Sequence, residues 1–294
     1  MSALRFGSVN SSRNSSPTPP ESIGPQPPLK SNLLLFRKPK KIQSLIQCHL
    51  MAVPRVSTLP LPACDGDGEI KAVAPNYTEI IIIRHGETEW NADHRIQGHL
   101  DVDLNDVGRQ QAAAVAERLA REPKISAVYS SDLKRAFNTA EIIAKRCDVL
   151  EVVKDPDLRE RHLGDLQGLV FHEASKINPE AHKAFISHRR DQEIPGGGES
   201  RDQLHERCTS SLQRIAKKHI GERVVVVSHG GTIRALHRRA SSHGQSVGKV
   251  TNTSVNVFHL SAEDEWSIKS WGDVSHLEQT GFLESGFGGD RTSG

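Results

Sequence analysis

The chain reads as an α/β protein: a three-layer sandwich with a mostly parallel central sheet, helices on both faces and a disordered N-terminal extension. Three observations predict it. Two short apolar runs, Ile80–Ile83 and Val224–Val227, have the β-branched composition of strands buried on both faces. Between and around them, segments of helical period alternate with further short strands. Upstream of residue 77 no apolar period is sustained at all.

The extension differs from the body in charge as well as pattern. Residues 1–60 hold eight Lys and Arg (Arg5, Arg13, Lys30, Arg37, Lys38, Lys40, Lys41, Arg55) against one acid, Glu21. The remaining 30 basic and 35 acidic residues give the rest of the chain −5, a split hidden in the total of +2. Basic, Ser-rich, acid-poor composition is that of an organelle transit peptide and equally that of a disordered tail. Residues 1–76 are therefore read as a leader and 77–294 as the folded domain. A transit peptide implies a plastid or another organelle; translation from Met51, or a leader that is only disordered, implies the cytosol. Asp65–Glu69 imitates the start of a calcium loop, but its twelfth position is Asn76 rather than a bidentate Glu, which excludes that reading.

Along the body, Ile80–Ile83 is the first strand. A helix follows Leu104-Asn105, with Ala112, Val115, Ala116 and Leu119 at helical spacing. Ala127–Tyr129 is a second strand, and Ser130 or Ser131 is expected to cap the helix striped by Leu133, Ala136, Phe137, Ala140 and Ala144. Val149–Val153 is a third strand. Leu204, Cys208, Leu212, Ile215 and Ala216 mark a long helix leading into Val224–Val227, and Ser254–Leu260 and Trp266–Trp271 are late strands of the same sheet.

Composition excludes several classes of function. No run of eighteen apolar residues is present, so no transmembrane helix is expected. Cys48, Cys64, Cys147 and Cys208 lack CxxC spacing, which argues against a zinc ribbon or disulfide framework. A body at −5 argues against a broad basic face for nucleic acid.

Chemistry concentrates where the two apolar strands end. The first runs into Arg84-His85-Gly86 and the other into Ser228-His229-Gly230-Gly231. Ligands of parallel α/β sheets bind beyond the carboxyl ends of the strands. Two such ends side by side would present both imidazoles to one crevice. The body has fourteen histidines, and most, such as His94, His182, His188, His205 and His219, sit in polar or amphipathic surroundings typical of solvated side chains. A histidine that closes a buried strand and precedes glycine is a different matter.

The stretch Arg84-His85-Gly86-Glu87-Thr88-Glu89-Trp90-Asn91 resembles the signature of the histidine phosphatase superfamily, which includes the cofactor-dependent phosphoglycerate mutases. Six motifs follow in the family's order: Arg95–Gly98, Leu104–Arg109, Ser130–Arg135, Leu158–Gly164, Pro195–Glu199 and Ser228–Gly231. The resemblance implies His85 as the nucleophile that becomes a phosphohistidine, its second ring nitrogen held by an acceptor such as a backbone carbonyl. It implies Arg84, Arg135, His229, Asn91 and Gly230 as phosphate contacts, with His229 donating to the phosphate if charged. It implies Glu160 as the acid that protonates the leaving oxygen and then the base that activates water. Gln97 and Gly98 match substrate contacts. Read alone, Arg135 is equally an ordinary surface charge on a helix, and Asn91 a turn residue.

Within the family, mutases usually carry Tyr three residues after the catalytic Glu and Lys shortly beyond, where this chain has Leu163 and Phe171. They also carry Arg-Arg ahead of Ile-Pro, which Arg189-Arg190 and Ile194-Pro195 match; those arginines are a substrate clamp on that reading and a solvated helix end on the other. The segment from Pro195 to His229 is short beside the mutases' insertion. The resemblance therefore implies a metal-independent phosphatase of small phosphorylated metabolites such as sugar phosphates, in carbohydrate metabolism, with no cofactor. The alternatives are a mutase-type isomerase and an inactive phospho-ligand binding protein. The implied partner is a small anionic phosphorylated substrate, without nucleic acid or membrane, and the implied assembly is a monomer or homodimer.

Overall fold

A computed structural model describes residues 75–241 and 247–278. Residues 1–74, with Cys48, Cys64 and the calcium-loop look-alike at Asp65, lie outside the described residues, as do Gly281–Gly294. The described strands are β1 (Tyr77–Arg84), β2 (Ala127–Ser130), β3 (Val152–Lys154), β4 (Arg223–Ser228), β5 (Val255–Ser261) and β6 (Trp266–Asp273). The helices are α1 (Glu89–Ala92), α2 (Asp106–Leu119), α3 (Lys134–Arg146), α4 (Ala174–Ile177), α5 (Pro179–Ile186), α6 (Arg201–Lys218), α7 (Gly230–Ala240) and α8 (Ser275–Glu278).

The strands form one six-stranded sheet in the order β3-β2-β4-β1-β5-β6. The first four in that order run parallel to their neighbours, whereas β5 is antiparallel to β1 and β6 to β5. Side chains of successive strand residues point to opposite faces, and both faces are covered. Ile80 and Ile82 pack with Leu204, Cys208 and Leu212 of α6 and Ile233 and Leu236 of α7. Ile81 and Ile83 pack with Val115 and Leu119 of α2 and Ala136, Ala140 and Ile143 of α3. All four isoleucines are fully buried, each worth about 1.5–3 kcal/mol relative to exposure. That is why an unbroken β-branched run, rather than an alternating one, occupies the centre of the sheet.

Local signals account for the helix starts. Asn105 caps α2 by accepting from Gly108 N at 2.7 Å, and Ser200 with Gln203 forms a capping box on α6. Two expectations are corrected. The N-cap of α3 is Leu133, without a side-chain cap bond; Ser131, two residues upstream, accepts from Leu133 N at 3.3 Å and also meets His229. The strand expected over Val149–Val153 is Val152–Lys154, at the sheet edge, with Leu150 fully exposed before it. A third, smaller cluster joins Ile96 to Leu163, Leu166, Ala174, Ala181 and Ile194, so the segment carrying Gln97 and Gly98 is braced by residues 163–194. Among the described residues no helix is long and apolar enough to cross a membrane.

Candidate active site

The site follows from strand register. On the paired parallel strands β1 and β4, Arg84 stands opposite Ser228, and His85 N donates to Ser228 O at 3.0 Å. The next residue on each chain is a histidine, so His85 and His229 emerge abreast, with ring centroids 5.1 Å apart. Gly86 is required there: a Cβ would collide with the Gly108 backbone of α2.

His85 is oriented by its own neighbour. Nδ1 lies 2.7 Å from the Gly86 carbonyl, which can only accept, so Nδ1 carries the proton and Nε2 keeps its lone pair. Burial, then the charges of Arg135 and Arg84, hold the ring well below the usual histidine range, which keeps it neutral near pH 7. His229 is likewise pushed well below that range by burial, then by Arg135, His85 and Arg84. The charge supposed for His229 is therefore absent unless an anion offsets it. Ser131 Oγ, 2.9 Å from His229 Nε2, can donate to that nitrogen. The ring proton then sits on Nδ1, a buried atom with no hydrogen-bond partner in the protein.

Arg84 and Arg135 are both almost fully buried. Arg84 donates from Nη1 to Val250 O at 2.8 Å. Arg135, the second residue of α3, donates from Nη1 to Leu100 O (2.9 Å) and from Nη2 to Gly98 O (2.7 Å). Its Nε is buried without a partner. Burial lowers Arg135 to about 10, against the opposing pull of Glu160 and Asp101; it remains a cation. Two carbonyls thus hold a permanent charge whose third donor is left for another acceptor.

Glu160 is 2 % exposed. Oε1 accepts from Arg161 N at 2.8 Å and Oε2 from Gly231 N at 3.0 Å, in the first turn of α7. Burial raises its carboxyl above the usual carboxylate value despite those two donors, Arg135 and Arg234. A proton is therefore held more readily than on an exposed glutamate. Arg84, His85, Asn91, Gln97, Gly98, Arg135 and Glu160 line one cleft.

The remaining assigned residues divide. Asn91 is buried, and its Oδ1 accepts from Thr88 N and Oγ1 in a capping box of α1, so the oxygen is engaged and the amide nitrogen is the end left for a ligand. Gln97 is buried with Oε1 unpartnered. Gly98 adopts φ +53 and offers its carbonyl to Arg135. Gly230 is buried as the first residue of α7, beside the Gly231 donor. Arg189 and Arg190 do not join them. Arg189 pairs with Asp191, its side chain 71 % exposed, and Arg190 pairs with Asp202; neither lines the cleft, because the loop after α5 turns them to solvent. Their placement is that of the solvated alternative.

Several contributing residues carry no local sequence signal. Asn252 donates from Nδ2 to His85 O at 2.9 Å, and Thr253 N donates to Arg84 O at 3.0 Å. Their segment lies beside His85 only because β5 runs antiparallel to β1, with Val255 opposite Ile83. Thr139 of α3 accepts from Gly86 N at 3.1 Å. His99 donates from Nε2 to the Glu160 carbonyl at 2.7 Å. Among the described residues no group of three or more His, Cys, Asp or Glu is placed to hold a metal ion.

The arrangement supplies an oriented neutral imidazole, permanent cations for a phosphoryl group and a buried carboxyl near the same space. Residues 80–274 match the family model of the histidine phosphatase superfamily, branch 1. Phosphoglycerate mutase-like protein 4 of Arabidopsis thaliana is 68% identical over 219 residues, covering 74% of this chain and 95% of that protein. The metal-independent phosphoserine phosphatase of the same plant is 56% identical over 218 residues, covering 74% of this chain and 91% of its own. Among solved structures, Entamoeba histolytica phosphoserine phosphatase with 3-phosphoglyceric acid superposes with a TM-score of 0.58 at 29% identity, covering 68% of this chain and 99% of that one.

Proposed function

Because this chain belongs to the histidine phosphatase superfamily, we propose that it hydrolyses phosphomonoesters of small metabolites through a phosphohistidine on His85, with no metal. The observation that carries this reading is the His85 ring, whose Nδ1 is pinned to the Gly86 carbonyl while Nε2 keeps its lone pair, in one cleft with Arg84, Arg135 and Glu160. The Nε2 lone pair attacks phosphorus, a P–N bond forms, and the ester P–O bond breaks. Protonated Glu160 gives its proton to the departing oxygen. Arg84 and Arg135 hold the non-bridging oxygens as their charge redistributes. Water then loses a proton to the Glu160 carboxylate and attacks phosphorus; the P–N electrons return to Nε2 and inorganic phosphate leaves.

Phosphoserine is the first substrate to test, since relatives of both sequence and structure are named for it. The mutase reading keeps the support of the 68% relative's name. It loses that of Arg189 and Arg190, which face solvent in surface ion pairs. Leu163, where mutases carry a tyrosine, is fully buried in the third core cluster. The test is a panel of phosphoserine, phosphoglycerates and sugar phosphates, assayed for free phosphate and for isomerised product with and without a bisphosphorylated primer. Phosphate release without isomerisation supports the phosphatase. Primer-dependent isomerisation overturns it in favour of the mutase, and binding without turnover in favour of a binding protein. The leader's composition supports import into an organelle, which N-terminal sequencing of the mature protein tests.

A further inference from the structure

Glu160 lies on a loop outside any regular element: one 3-10 turn ends at Leu158 and the next begins at Gly164. Besides Ser228 Oγ on Leu158 O and Thr232 Oγ1 on Arg159 O, one guanidinium grips that loop at three carbonyls. Arg207 of α6 donates from Nη1 to the carbonyls of Asp157 (2.9 Å) and Arg159 (2.8 Å), and from Nη2 to that of Glu160 (2.7 Å). The same fork grips Glu199 at two points, Nε to Oε1 at 2.7 Å and Nη2 to Oε2 at 2.8 Å. Glu199 in turn binds the far side of the loop. Its Oε2 accepts from His162 N and its carbonyl from Arg161 Nε, while its own N donates to His162 O. Both side chains are largely buried, 16 % and 20 % exposed, and neither lines the cleft.

We propose that Arg207, locked by Glu199, is a positioning residue for the proton transfer. It fixes the Glu160 backbone so that the carboxyl stays seated between Arg161 N and Gly231 N, at the distance from the ester oxygen that proton transfer needs. General acids work only within hydrogen-bond reach of the atom they protonate, and displacements of about 1 Å can cost about a hundredfold in rate. Lysine cannot replace Arg207 here, because three donors on one nitrogen cannot serve five acceptors spread around a planar fork. Burial alone would raise the Glu199 carboxyl; the bonds and charge of Arg207 outweigh it and hold Glu199 ionised, below its usual value. The Glu160 carbonyl also receives His99, whose loop offers Gly98 O to Arg135. The Gly98–His99 segment thereby links Arg135 to the backbone of Glu160.

The inference rests on Glu160 being the general acid, and the test separates the two. Full-length Arg207→Lys and Glu199→Gln are assayed beside Glu160→Gln with phosphoserine, a poor leaving group, and p-nitrophenyl phosphate, a good one. The ratio kcat/KM reports only steps up to phosphohistidine formation, so it isolates the acid. Arg207→Lys is expected to lower kcat/KM for phosphoserine by roughly 10- to 100-fold, part of the 10²–10⁴ typical of general acid catalysis. For the aryl ester it is expected to change kcat/KM less than about threefold, with inhibition by inorganic phosphate intact because the arginine pocket is untouched. Glu199→Gln should show the same selectivity more weakly, and it carries the test if Arg207→Lys fails to fold. If Glu160→Gln is leaving-group selective and neither other variant is, the positioning role is wrong. If Glu160→Gln shows no selectivity either, the acid assignment and the inference built on it both fall.

Discussion

The imidazoles of His85 and His229 stand 5.1 Å apart, centroid to centroid, with planes inclined at 56°. They come from adjacent parallel strands whose last paired residues are Arg84 and Ser228. One ring has its Nδ1 tied to a carbonyl; the other has a hydroxyl on Nε2. Neighbouring histidines thus have different tautomeric constraints, which suits one to attack and the other to donate.

His85→Ala should abolish phosphate release and leave no acid-labile phosphoprotein when the enzyme is quenched during turnover with labelled substrate. Normal turnover by that variant would rule out His85 as the nucleophile. His229→Ala should retain a trace of the labelled intermediate, since the attacking nitrogen remains.

Glu160→Gln keeps the size of the side chain and one of its two acceptor oxygens but cannot deliver a proton. For alkyl phosphates kcat/KM should fall by about 10²–10⁴, and far less for p-nitrophenyl phosphate. Equal losses on both esters would count against an acid at Glu160.

Asn252→Ala removes the donor to His85 O and leaves that buried carbonyl short of a partner. The expected cost is about 1–3 kcal/mol of folding stability, read from the denaturant midpoint at unchanged slope. A midpoint within error of the parent would show that the bond does not brace the strand end.

Stability should fall as pH drops below about 6.5, where unfolded histidines take up protons. His85 and His229 resist protonation in the folded state because they are buried beside arginines. His99 and His276, lowered by burial to about 4, resist it too. The unfolded chain then binds more protons, so unfolding free energy rises with pH through this window. Denaturation at pH 7.5, 6.5 and 5.5 should show that slope, and His229→Gln should flatten part of it. An unchanged slope in the variant would mean that His229 protonates freely in the folded protein.

How far the site could be read depended on how local its cause was. His85 and Arg84 were legible because a buried strand ending in Arg-His-Gly is unusual in itself. Glu160 was legible only through a wider pattern, as Asp155, Asp157 and Asp165 share its neighbourhood and charge. Arg189 and Arg190 were ambiguous: the same two letters suit a clamp or a solvated helix end, and the loop after α5 places them in surface ion pairs. Ser131 was noticed only as a helix cap; its hydroxyl accepts from Leu133 N just ahead of α3 and also meets His229. The edge strand was shortened because residues 149–151 have no partner strand to complete their backbone bonds.

The amino-acid order by itself determined the layered fold, since strands buried on both faces must be uninterruptedly apolar and the covering helices must carry a 3.6-residue stripe. It also determined which residue types close the two central strands. Only the tertiary structure decided that Asn252 holds the His85 carbonyl, that Ser131 meets His229, and that Arg207 binds the loop of Glu160. Those pairs lie 167, 98 and 47 residues apart. Their contacts depend on strand order and helix placement, which come from burying the whole core and leave no periodic trace around any one of them.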